Sequence, residues 1–539
     1  MDKFTVLLVE NQEPAHKICR DNFLKNGPVR MLYAHTVEEA RPLIDKYFIH
    51  IALVDINLAD DEPSGDNANQ EGNDEGNDVL KLLCQHRPIC RRYAYTNYPL
   101  EVLKQQGMGF EPTAHGVLPK QYNWTEVEFI KKNSQIWLKH QVRVDGLDEV
   151  LAEICRKMEP PHPIRDELDY LISKIFGQGE KIATSIESIE LKLLDGGRSP
   201  SVVVLGQPKD GDGRTGIWTV IKFSSLRYAA MEHRAYCKYV RFMLPVSSRV
   251  ELLGYFEADT IGAMCYSFAG GSPQNEIVSL ERLIRDEDEE TFKYLRALQS
   301  QLCDHWYITD TEPIEQAQYV AKTFKVDEDA VRDKIENFAI KIAPRIKAEV
   351  SLEGIRFADR LLCWPTVADL KHGQIRQRPK CIIHGDLHAG NVLVRRRTDQ
   401  TVLIDHQYTG PGPAYLDFAA LDASPRLFTK VKQLNTHMIE DQVNHEPKVW
   451  DSVWSASLGT KAPDELPFWA RVSFHVVMMA RMRFPGLMPK DYAGTCLLWA
   501  LRVFKVDQLQ EVPRVQLFVW ISHLLNVLRA KCENPPAAS

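Results

Sequence analysis

CIIHGDLHAGNVLV, residues 381–394, decides how the second half of this chain is read. Two apolar stretches flank a polar loop, so His384, Asp386, His388 and Asn391 are expected to project from a turn between two short strands. Asp386 and Asn391 stand five apart, and beyond Val394 comes another short apolar strand, Val402–Ile404, ending in Asp405. Phosphoryl transfer from a nucleotide needs little covalent help; it needs positioning and charge neutralisation. One carboxylate must orient the attacking hydroxyl and take its proton, and Asp386 suits that role. A second carboxylate and an amide oxygen must hold magnesium, a hard ion that prefers oxygen ligands. Asp405 and Asn391 suit that one. A plain polar turn between strands is the bland alternative.

HGDLHAGN followed by IDHQ resembles the catalytic loop and metal loop of aminoglycoside phosphotransferases, choline kinases and their relatives. Protein kinases share the Asp-x-x-x-x-Asn spacing. Here, however, Gly385 stands where they carry arginine, and Asp405 is followed by His406-Gln407 rather than Phe-Gly. The resemblance implies an α+β bilobal kinase-like domain with a large helical C-terminal lobe, using ATP and Mg2+. It implies that His384 supports the loop and that Asp417, in YLDFAAL, braces it from a helix start. A helix-start acid with no other task is the alternative for Asp417, and His388 is either a substrate contact or local packing.

Upstream, WTVIKF (218–223) reads as a strand carrying Lys222, whose ammonium would meet the nucleotide phosphates; Glu232, on the helix after it, would pair with Lys222 as in the family. An exposed Lys/Glu pair of little energetic worth is the alternative. In LDGGRSPSVVV, Gly196 and Gly197 would admit a phosphate closely, though a hairpin turn explains them equally. Residues 260–269 resemble the strand that enters the hinge between lobes, with main-chain groups near Tyr266–Phe268 meeting adenine.

Residues 1–140 alternate strands and helices, which predicts a doubly wound parallel sheet with ligands at the carboxyl ends of its strands. VLLVEN with Glu10, ALVDINL with Asp55, YAYTN with Thr96 and VLPK with Lys120 fall in the order used by response-regulator receivers. That resemblance implies an α/β receiver with a doubly wound, parallel five-stranded sheet and a histidine kinase as a possible partner. Asp55 is the candidate phosphoacceptor, and Glu10 and Asp55 the candidate magnesium ligands. Thr96 would hydrogen-bond the added phosphoryl group and Lys120 would pair with its oxygens. Two features depart from the pattern: Asn11 replaces a second acid, and an acidic loop at 59–78 lies beside Asp55. That loop reads as a solvated segment; a calcium loop is the sharper alternative, but its spacing matches no EF-hand. Docking without phosphorylation is the other role for such a domain.

The organisation expected is a receiver at 1–140, a helical linker at 141–180 marked by MEPPHP, a kinase-like N-lobe at 181–270 and a C-lobe at 271–539 holding the loop 384–391. A net charge of -7 and a pI near 6.2 give no reason to expect nucleic acid or anionic membrane as partners. Eleven scattered cysteines without a Cys-x-x-Cys pair argue against a zinc ribbon and fit reduced thiols in a cytoplasm. The start lacks a secretory signal, and the longest charge-free run, 515–528, is too short to span a bilayer. The acceptor is expected to be a hydroxyl on a small molecule or a protein. A nucleotide-binding pseudokinase acting as a scaffold is the competing expectation.

Overall fold

The computed structural model of the chain describes residues 4–12, 16–17, 29–56, 75–87, 90–96, 114–120, 124–138, 142–176, 186–194, 200–268, 277–307, 309–366, 369, 377–431, 433–506 and 509–530. It divides into two compact units: Met1–Ala230 with Leu252–Ser267, and Met231–Glu251 with Phe268–Ser539.

The first unit opens with β1 (Phe4–Val9), β2 (Val29–Ala34), α1 (Val37–Lys46), β3 (Ile51–Asp55), α2 (Glu75–His86), β4 (Arg91–Thr96), β5 (Gly116–Pro119) and α3 (Trp124–Leu138). The five strands are all parallel, in the order β2-β1-β3-β4-β5. FTVLLV and IALVD are buried along their whole length because a parallel sheet is covered on both faces. Alternation sorts β1 between two cores: Leu7 and Val9 face one, Phe4, Val6 and Leu8 the other. This strand order reverses direction between β1 and β3, the place where such sheets bind ligands. The first domain thus has the receiver topology expected from its sequence.

The stretch expected to link the domains is built into the next sheet. β6 (Arg143–Asp145) pairs in parallel with β7 (Ile186–Leu193), at the end of a six-stranded sheet ordered β10-β11-β9-β8-β7-β6. The others are β8 (Val202–Asp210), β9 (Thr219–Ser225), β10 (Leu252–Glu257) and β11 (Ile261–Ser267). α4 (Leu147–Met158) and α5 (Arg165–Phe176) lay Val150, Ile154, Leu168 and Leu171 on Ile189, Val204, Ile221 and Phe223. α6 (Leu226–Ala235) follows β9.

Within this unit an ionic cluster joins the receiver to the strand lobe. Arg87, after α2, is 1% exposed. Its Nε donates to Ile44 O (2.7 Å) and its Nη2 to Asp45 O (3.0 Å). Its Nη1 lies 3.3 Å from Asp259 and 3.7 Å from Glu167, both with side chains wholly buried. Glu167 in turn accepts from Thr260 N and Oγ1 (2.8 and 2.7 Å). His162 Nε2 lies 2.8 Å from both Arg87 Nη1 and Glu167 Oε1. One ring nitrogen can serve only one of them; we assign its proton to Glu167, because the guanidinium already has acceptors. Buried charges persist only when paired and hydrogen-bonded in this way.

Among the described residues, the second unit is mostly helical, with three small sheets. It contains β12 (Ile277–Ser279), α7 (Leu280–Asp286), α8 (Thr291–His305), β13 (Thr309–Glu315), α9 (Gln316–Phe324) and α10 (Glu328–Ile342). β14 (Glu349–Val350), β15 (Gly354–Phe357) and β16 (Arg360–Cys363) form one small antiparallel sheet. Then come β17 (Gln377–Ile383), β18 (Val392–Arg395), β19 (Gln400–Leu403), β20 (Gly410–Pro413) and α11 (Leu416–Leu427). α12 (Thr436–Ser455), α13 (Phe468–Arg483), α14 (Pro489–Phe504) and α15 (Glu511–Arg529) complete it. Every residue of α11 is buried. A helix enclosed on all sides must pair whatever charge it carries. Arg426 accordingly makes a bidentate pair with Glu446 (2.7 and 2.6 Å) and bonds Asp422 (3.1 Å), beneath the Trp520 ring.

Candidate functional site

β17 delivers the chain into His384-Gly385-Asp386, and β18 carries it away after Asn391. Gly385 has φ +80°, and a Cβ there would lie 2.5 Å from Tyr408 O. Only glycine fits such a bend against a neighbouring backbone, which is why this chain has no side chain where protein kinases place arginine. The turn Ala389–Asn391 is capped by His388, whose Nδ1 accepts from Gly390 N (3.0 Å). Burial pushes the His388 imidazole below its ordinary value. Nδ1 of His388 is thus committed to this local cap.

α11 holds this loop from beneath. Asp417 accepts from His384 N (2.7 Å), Gly385 N (2.8 Å) and Tyr307 Oη (3.2 Å), and Ser424 Oγ accepts from Ala389 N (2.9 Å). Burial lifts the Asp417 carboxyl above its ordinary value despite these donors. His384 is wholly buried; its Nε2 reaches Ile404 O (2.9 Å), which ties the loop to the end of β19.

The hairpin β18–β19 sets Val392 opposite Leu403, and Ile404 N donates to Asn391 O (3.1 Å), so Asn391 and Asp405 close the same end of the ladder. Asp405 has φ +61°, an uncommon left-handed conformation for a non-glycine residue. Asn391 Nδ2 donates to Asp386 O (2.8 Å). The amide nitrogen is thereby committed inward and the amide oxygen is the remaining ligand atom. Asn391 Oδ1 and the Asp405 carboxylate both offer oxygen, the ligand type that magnesium takes. Among the described residues, no three His, Cys, Asp or Glu side chains gather into a metal site. A pair made of one amide and one carboxylate would not form such a group.

Sequence reasoning missed Arg502. From α14 its Nη2 pairs with Asp386 Oδ1 at 3.1 Å and its Nη1 donates to Gly385 O at 3.2 Å. A lone arginine in CLLWALRVF was the available signal: a charge in an apolar helix needs a partner.

Lys222 lies on β9 between Val203 and Met264, in the first unit, and Glu232 lies in the part of α6 assigned to the second. Both side chains are buried. Gly196 and Gly197 lie outside the described residues.

In the receiver, Glu10 follows β1, Asp55 ends β3, Thr96 ends β4 and Lys120 follows β5. Lys120 Nζ sits 2.6 Å from Glu10 Oε2 and 2.6 Å from Asp55 Oδ2, and Lys120 N donates to Thr96 O (2.9 Å). Burial raises the Glu10 carboxyl. Burial alone would depress Lys120, but the two carboxylates hold its ammonium above the ordinary value. Gly76 packs on Asp55, since a Cβ there would lie 2.1 Å from Asp55 O. Residues 59–74 of the acidic loop lie outside the described residues.

Residues 309–425 match the family model of the phosphotransferase enzyme family, a span that includes Asp386, Asn391, Asp405 and Asp417. Residues 188–324 match a model described as ternary complex associated domain 9. No curated protein matches the chain. Similar solved structures include a CheY-like receiver domain protein from Methanospirillum hungatei, at 21% identity, covering 26% of this chain and 98% of its own, with a TM-score of 0.21. A thermostable mutant of aminoglycoside phosphotransferase APH(4)-Ia is 12% identical over 64% of this chain and 95% of its own, TM-score 0.33. An ethanolamine kinase of Plasmodium vivax is 12% identical over 63% and 84%, TM-score 0.30. Residues 309–425 are thus a phosphotransferase-family segment, and they follow the domain whose parallel sheet has the order β2-β1-β3-β4-β5. No helix among the described residues is long and apolar enough to cross a membrane.

Proposed function

We propose that the chain is an Mg-ATP-dependent phosphotransferase acting on a hydroxyl and regulated by its receiver. The observation that carries this reading is the loop 384–391, whose Asp386 is fixed through its carbonyl by Asn391 and through its neighbours by Asp417. In the proposed reaction the acceptor oxygen bonds to the γ-phosphorus, the bridging β,γ P–O bond breaks and ADP leaves. The hydroxyl proton passes to the Asp386 carboxylate. Asn391 and Asp405 would hold magnesium, which neutralises charge on the phosphate oxygens. Lys222 would neutralise phosphate charge and Glu232 would orient it; Gly196 and Gly197 keep their sequence-level assignment to the phosphate loop. In the receiver, Asp55 would accept a phosphoryl group, with Glu10 as metal ligand and Thr96 and Lys120 reading the modification, and a histidine kinase as donor. Support comes from the family match across 309–425 and from the meeting of Glu10, Asp55 and Lys120.

A second reading, nucleotide binding without transfer, draws on Arg502 at 3.1 Å from the Asp386 carboxylate. The deciding experiment incubates the full chain with gamma-labelled ATP and magnesium, alone and with a panel of metabolites and proteins. Label should move to an acceptor with wild type and fall by at least about 10³-fold with Asp386→Ala. Nucleotide binding with no label moved by wild type would favour the scaffold.

A further inference from the structure

We propose that Arg502 is a positioning and specificity residue of the Asp386 site, turning it against cationic acceptors and towards hydroxyl compounds that are neutral or carry an anionic group; this rests on the phosphotransferase reading above. The observation is a juxtaposition of one guanidinium, three aromatic rings and the candidate base. Between Tyr492 and Phe504, α14 carries no charged side chain except Arg502. Its Cζ lies 3.6 Å from the Phe324 ring centre, 4.2 Å from Trp499 and 5.4 Å from Tyr408. These rings come from the end of α9, from α14 itself and from the turn after Asp405.

Ring faces attract cations through their quadrupole. Here the chain's own cation takes all three faces, so an ammonium arriving beside Asp386 would find them occupied and a like charge waiting. The other end of the same guanidinium grips the loop, at Gly385 O and Asp386 Oδ1. That grip orients the carboxylate for the incoming hydroxyl. The side chains are 15% and 18% exposed, so a ligand can reach both. Carboxylates also lie near: Asp386, Asp405 and Glu281 all act electrostatically on His388, alongside Arg502. Without Arg502, three ring faces and uncompensated acid would form a cation site. With it, the acceptor side presents a guanidinium that would pair with a phosphate or carboxylate.

The test uses the full chain with gamma-labelled ATP and magnesium, and choline, glycerol and glycerol phosphate as cationic, neutral and anionic hydroxyl probes. Wild type, Arg502→Gln and Arg502→Lys are compared by kcat/KM for each. Wild type is expected to favour the neutral or anionic probe. Arg502→Gln should shift the cationic-to-neutral ratio towards choline by about tenfold or more, and Arg502→Lys should keep the wild-type ranking. A wild type that prefers choline overturns the inference, even if Arg502→Gln does not fold. So does an active Arg502→Gln with unchanged ranking. If wild type moves no label to any acceptor and matches Asp386→Ala, the phosphotransferase reading itself falls, and this inference with it.

Discussion

Asp417 shows how a single buried acid can be worth more than its charge. Its two oxygens accept the amide hydrogens of His384 and Gly385 and the Tyr307 hydroxyl, all of them buried groups. Removing it strands two buried N–H donors, each costing about 1–3 kcal/mol when unpaired. Burial of the carboxyl, which raises its proton affinity, offsets part of this loss. Asp417→Ala should therefore lower stability by about 2–4 kcal/mol and speed hydrogen exchange at the amides of residues 384 and 385. An unchanged unfolding midpoint in urea would show that the loop stands without this support. The role of Asp417 was legible in YLDFAAL only through family resemblance, because a helix-start acid looks the same whether it braces a distant loop or faces water.

At the level of elements, the continuous apolar runs FTVLLV and IALVD announced themselves, and the polar loop between β17 and β18 was readable from the apolar stretches that flank it. VRMLYA was not, because Arg30 and Tyr33 break the apolar run; this strand sits at the sheet edge and is only half-buried in its middle. α14 begins at Pro489, whose fixed φ suits a first helical position. Residues 147–158 and 165–176 carry helical periodicity that cannot say which core it serves, and their packing on the six-stranded sheet is a tertiary fact. Glu167 on α5 gives that packing a pH signature. Burial would raise its carboxyl, but hydrogen bonds from His162 and Thr260 outweigh this and hold it below its ordinary value of 4.5. Its contribution is thus present above that value and lost as pH falls below it. The stability gap between wild type and Glu167→Gln, from urea unfolding, should be largest near about pH 6 and shrink towards about pH 3.5. A gap that does not change with pH would remove Glu167 from the account.

For the molecule as a whole, the two candidate chemistries follow from two different strand-end geometries. The receiver end is set by parallel strands, and Lys120 already bridges Glu10 and Asp55 there. Acetyl phosphate with magnesium should transfer its phosphoryl group to the Asp55 carboxylate, releasing acetate, and label wild type but not Asp55→Ala. Equal labelling of both would place the modification elsewhere. The cluster around Arg87 bears on how such a chain could arise. Recombination moves domains as cassettes, and a crossover near residue 141 would leave the arginine in one descendant and Glu167 and Asp259 in the other. Each fragment would inherit a desolvated charge without its counter-ion. Descent should therefore keep this receiver and its adjoining strand lobe together, and a foreign receiver grafted onto the lobe would need its own cation at that corner.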